Sequence, residues 1–118
     1  MKYLCLVYEE EAKLAALPDH ETSTITDEEL DYLEELQRSG RCLASARLQP
    51  AETAATIRVH NGSVFISDVP AVGAKERLGG FHLIDARDLN DAIRIAAKLP
   101  GARLGWIDVR PIEECHRS

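Results

Sequence analysis

The residues best suited to chemistry gather around one strand-like segment, Arg77 to Asp85, which carries Gly79-Gly80 and His82. Alternation puts His82 with Gly80 and Ile84 on one face, opposite Phe81 and Leu83, and the missing side chain at Gly80 leaves room beside the ring. A neutral imidazole at such an opening can move a proton near neutral pH. The plainer reading is a partly buried histidine, since no partner for it is fixed by the sequence. Asp68, closing the apolar strand face of Val64 and Ile66, is the second candidate acid or base, because apolar surroundings raise a carboxyl pKa. An Asp before Val69-Pro70 also suits a turn in which the carboxylate bonds backbone amides.

Two cations could hold an anionic ligand: Arg47, which follows the small residues Ala44, Ser45 and Ala46, and Lys75 beyond Pro70. A solvated loop charge is the simpler account of Lys75. Tyr8 and Trp106 are candidate pocket walls, although strand aromatics more often belong to a core. Gly79-Gly80 is no dinucleotide fingerprint, because it lies within a strand and no helix follows it directly. No phosphate-binding loop, zinc-ligand spacing or Gly-x-Ser-x-Gly elbow is present. Cys115-His116 offers two metal ligands where a closed site needs four. The expectation is that neither metal nor cofactor is required.

These residues must be positioned by a short chain. Its 118 residues, 45% hydrophobic and 29% charged, suit one soluble domain over residues 1–118. Nothing in the sequence spans a membrane or resembles a leader, and three cysteines without paired spacing suit a reducing cytoplasm. The net charge of −6 is uneven: residues 1–40 hold Lys2, Lys13 and Arg38 against eleven acidic residues. Such a surface repels phosphate backbones, which argues against nucleic acid.

The predicted order is strand, helix, strand, hairpin, strand, helix, strand. Lys2–Tyr8 is a strand apolar on both faces, with Tyr3, Cys5 and Val7 opposite Leu4, Leu6 and Tyr8. A short helix over Glu9–Leu17 ends at Pro18, and Asp19–Ile25 reads as a loop. Thr26 and Glu29 have the spacing of a capping box, flanked by Ile25 and Leu30 as a staple, so a helix starts there with Leu30, Leu33 and Leu36 as its stripe and Gly40 as its stop. Arg41–Leu48 is the second strand. Thr53–Asp68 is a hairpin turning at Asn61-Gly62, which pairs Val59 with Val64 and Ile57 with Ile66. Asp88–Asp91 caps a helix with Leu89, Ala92, Ile93 and Ala96 buried. Arg103–Val109 is the last strand.

This order describes an α+β chain of ferredoxin-like split βαβ type with an inserted β-hairpin. Two helices cover one sheet face only. The two-sided apolar strands therefore need a second cover, and a homodimer is its simplest source.

The run Asp68, Pro70, Lys75, Glu76, Leu78, Gly79, Gly80 and Phe81 resembles the DGPF branch of the YCII-related domain family, with Val69 and Ala71 replacing its Gly and Phe. The resemblance implies a dimeric α+β barrel. It also implies a possible regulatory setting, because DGPF-type proteins are often encoded beside extracytoplasmic-function sigma factors, whose proteins would be candidate partners of the acidic segment. Relatives of the YCII branch carry a helix His that is thought to pair with an Asp in acid–base work. Counting back from Gly40-Arg41 puts Glu29 at that position, where the capping box already accounts for it. His20, in the preceding loop, is out of register to replace it. Two functions follow: a dimeric module binding a small molecule or a regulatory protein, and a cofactor-independent enzyme using His82 or Asp68 for an elimination or isomerisation of a small, partly apolar molecule.

Overall fold

The computed structural model describes residues 1–67 and 76–115. Strand β1 runs from Lys2 to Glu10, two residues beyond the expected end, and helix α1 covers Glu11–Ala15. Helix α2 occupies Asp19–Arg38 and β2 Cys42–Arg47. The hairpin strands are β3, Thr56–His60, and β4, Ser63–Ser67. Strand β5 is Glu76–Asp85, α3 is Leu89–Ala97 and β6 is Gly105–Pro111. The main sheet is antiparallel in the order β2-β5-β1-β6, the order of a ferredoxin-like split βαβ unit.

Alternation along β1 divides the sheet. Tyr3, Cys5, Val7 and Glu9 point into the helix-covered face and are buried. Leu4, Leu6 and Tyr8 lie on the other face and stay half-buried. Between the sheet and the helices, Tyr3, Cys5, Ile84, Leu36, Ile95 and Leu99 form the centre of the core. The Tyr32 hydroxyl donates to the Ile95 carbonyl at 2.8 Å and ties α2 to α3. The α3 cap is as expected, with Asp88 accepting from the Asp91 amide. Its buried stripe is rotated, however: Ile95 replaces Leu89 and Ile93, which are exposed.

The largest correction concerns α2. Asp19–Ile25 is helical rather than looped, and Thr26 is no cap. The Thr22, Thr24 and Thr26 hydroxyls donate to the carbonyls of Pro18, His20 and Thr22, each four residues back. That bonding lets threonine remain inside a helix, while Asp19 and Glu21 complement the positive end of the dipole. Glu29 is consequently in mid-helix, free of any capping role. Gly40 closes the region in the left-handed conformation, as expected.

The hairpin register is the predicted one, Val59 opposite Val64 and Ile57 opposite Ile66, and both turn residues have positive φ, Asn61 at 49° and Gly62 at 78°. It forms its own two-stranded sheet, and the side chains of Ile57, Val59, Val64, Phe65 and Ile66 are all exposed.

Candidate functional site

Where α1 and α2 approach the sheet, the apolar packing gives way to a group of charged side chains from four elements. β1 contributes Glu9, which is only 5% exposed and continues the inward alternation of Tyr3, Cys5 and Val7. α2 contributes Glu29, on the helix face of Ile25 and Leu36, which are four residues before it and seven after. β2 contributes Ser45 and Arg47, and β5 contributes His82, paired in register with Cys5 on one side and Ser45 on the other.

The contacts form a chain. Ser45 Oγ and His82 Nδ1 are 2.6 Å apart, and His82 Nε2 lies 3.6 Å from Glu29 Oε1. Arg47 donates from Nη2 to Glu9 at 2.9 Å and from Nη1 to the other oxygen of Glu29 at 3.5 Å. The imidazole beside it holds the Glu29 carboxyl below its ordinary value; Arg47 adds to this against the opposing pull of burial. At 3.6 Å the Glu29 contact is electrostatic, longer than a hydrogen bond; an ionised carboxylate there favours the tautomer with its proton on Nε2, in which the Ser45 hydroxyl donates to Nδ1.

A β-bulge makes room for this arrangement. Val7 pairs with Gly80 but Tyr8 with Leu78, leaving Gly79 as the extra residue. A Cβ at Gly79 would come within 2.5 Å of the Glu9 carboxyl carbon, so the glycine is the space that the carboxylate occupies.

Beside these groups lies a cavity of about 200 Å³. Leu14, Leu17, Ile25 and Leu104 form apolar walls, and Glu9, Glu29, Arg47, Thr22 and Thr26 supply polar groups. The volume suits a molecule built on one ring, because a cavity of about 150 Å³ accepts benzene.

The expected site residues divide accordingly. His82 and Arg47 come together, but His82 is 3% exposed and sits behind Glu29 instead of lining the cavity. Gly80 shares the His82 face, yet the space it leaves is closed by the Ala46 carbonyl, 2.8 Å from where a Cβ would be. Tyr8 and Trp106 stack with centroids 5.3 Å apart on the opposite face of the sheet, away from the cavity. Asp68 and Lys75 lie outside the described residues. Glu9 and Glu29 were missed, although two signals pointed to them: the alternation of β1 carried one step past Tyr8, and the helical spacing of Ile25, Glu29 and Leu36.

Comparison with known proteins gives a consistent picture. The YCII-related domain matches residues 1–116. The uncharacterized protein R00369 of Rhizobium meliloti (strain 1021) is 32% identical over 114 residues, 95% of this chain and 92% of that protein. Among solved structures, 5-chloro-2-hydroxyhydroquinone dehydrochlorinase (TftG) from Burkholderia phenoliruptrix AC1100, in complex with 2,5-dihydroxybenzoquinone, aligns with a TM-score of 0.53 over 98% of this chain and 96% of that one. At 16% identity this likeness shows the fold alone.

Proposed function

The chain belongs to the YCII-related domain family, and on that premise we propose that it is a cofactor-independent enzyme moving protons on a small, partly apolar, hydroxylated molecule. The observation that carries this reading is the cavity-lining Glu29 carboxylate with His82 directly behind it. A base needs a free lone pair toward its substrate and a fixed orientation. Glu29 has the first at the cavity wall and the second from His82 and Arg47. The fold neighbour TftG, whose name makes it a dehydrochlorinase of a hydroxylated ring, supports the same class of ligand.

In this reading Glu29 accepts the proton of a ring hydroxyl. His82, braced by Ser45, stays behind Glu29 and holds its carboxylate in place for the transfer. Glu29 then delivers a proton to a ring carbon, which gives the keto tautomer, completes an isomerisation and restores the carboxylate; in an elimination the tautomer goes on to lose a ring leaving group as its anion together with a hydroxyl proton to solvent. The test is hydroxyhydroquinone kept in deuterated water without oxygen. The protein is expected to accelerate loss of the ring-proton NMR signals, and Glu29→Gln to abolish the acceleration. If wild-type protein exchanges no ring proton, the enzyme reading of hydroxylated rings fails and the non-catalytic binding module takes its place.

The second cover for the sheet is proposed to be another copy of the chain. Leu4, Leu6, Phe81, Leu83 and the Tyr8–Trp106 stack make an apolar surface opposite the helices. Light scattering should report twice the chain mass, and Phe81→Glu should shift it toward the monomer; a wild-type monomer removes this part of the reading.

A further inference from the structure

Resting on the cavity reading above, we infer that the site is selective for neutral or cationic ligands and excludes carboxylates, because the one cation among its described wall residues is already committed to two carboxylates. Arg47 is the obvious anion-binding group by sequence. In the structure its guanidinium bridges Glu9 and Glu29. Among the described residues, every other wall residue is uncharged. Glu9, Glu29 and Arg47 together carry −1, and a protonated His82 would only bring the total to zero. A ligand carboxylate entering this cavity meets no uncompensated positive charge among the described residues, and like charges brought together away from water repel strongly.

The Arg47 side chain is 66% exposed and has the reach to turn toward a ligand. Turning leaves the Glu9 carboxylate unpaired, and its side chain is 7% exposed. Stranding a buried charge is costly, so the bridge resists the exchange. A hydroxyl or an ammonium group needs no such rearrangement, since either donates directly to Glu29 or Glu9. Glu9 is thus a specificity residue: it neutralises Arg47, and Gly79 is the vacancy that lets it do so. The same arrangement suits a phenolic substrate, which enters as a hydrogen-bond donor and becomes anionic only as Glu29 takes its proton.

The test is a set of NMR titrations with catechol, benzylamine and benzoate, following the amides of Thr26 and Gly101. Wild-type protein is expected to bind catechol or benzylamine at least about tenfold more tightly than benzoate. Glu9→Gln removes the shorter of the two Arg47 pairings and one negative charge, and should raise benzoate affinity by about tenfold or more. Gly79→Ala offers an independent route, because its new methyl displaces the flexible Glu9 carboxylate instead of backbone, and it should move benzoate affinity in the same direction. Benzoate binding wild-type protein as tightly as catechol, or unchanged benzoate affinity in Glu9→Gln, overturns the inference and leaves the catalytic reading intact. Failure of all three probes to bind any variant removes the cavity as a binding site, and the inference with it.

Discussion

The two ends of the helix-covered sheet face are built by one alternation and used differently. At one end Tyr3, Cys5, Ile84, Ile95 and Leu99 pack with no ionised group among them. At the other, two residues further along β1, Val7 and Glu9 open onto a cavity held by charged side chains. The same long helix covers both, contributing Leu36 to the first and Glu29 to the second. The difference teaches that a small fold can concentrate its stability at one end and keep the other polar and incompletely filled. The apolar end is dry enough that burial pushes the Cys5 thiol up to about 11, whereas at the charged end every carboxylate has a partner.

The division can be broken most severely at Glu29. Glu29→Gln should lower hydroxyhydroquinone exchange by roughly 10²–10⁴-fold, the range for losing a general base, with the protein still folded but somewhat less stable at neutral pH, where the ionised carboxylate contributes. An exchange rate within a factor of two of wild type would dissolve the distinction between the ends. Next comes Ile84→Ala at the dry end, where Ile84 is fully buried. It should cost about 2–5 kcal/mol in urea denaturation, while the folded fraction keeps its exchange rate. A comparable loss of activity per folded molecule would show that the ends are not separable. The smallest effect belongs to Thr26→Ala. Its hydroxyl bonds a carbonyl within the helix instead of capping it, so the change should stay within about 0.5 kcal/mol. A loss of 1 kcal/mol or more would restore Thr26 as a cap and detach Glu29 from the cavity.

The apolar end was largely legible in the sequence. Period-two alternation in Lys2–Tyr8 identified its strand, and Asn61-Gly62 set the hairpin register because few other pairs accept two positive φ angles. The charged end was not, for three physical reasons. Glu9 opens a run of three glutamates that reads as the start of a short helix, yet the strand carries the first of them inward. The polar stretch Asp19–Ile25 resembles a loop, although its two threonine hydroxyls, Thr22 and Thr24, are satisfied within the helix. With the helix start misplaced, Glu29 took the geometry of a cap. His82 and Arg47, singled out by residue type, do lie in one group of side chains; that Glu29 and not His82 meets the cavity depends on helix register across the sheet, which local spacing does not encode.

The central claim, that His82 keeps Glu29 ionised as the cavity-facing base, is tested most directly by carbon-13 NMR titration of the Glu29 carboxyl in wild-type protein and in His82→Gln. Because its folded-state pKa is depressed, the stability that Glu29 contributes is fully present above its ordinary value of 4.5 and is lost as pH falls through the lower folded value. The midpoint in wild-type protein is predicted to lie below 4.5 and to rise in His82→Gln. A midpoint at or above 4.5, or one that does not move when the imidazole is removed, would contradict the account.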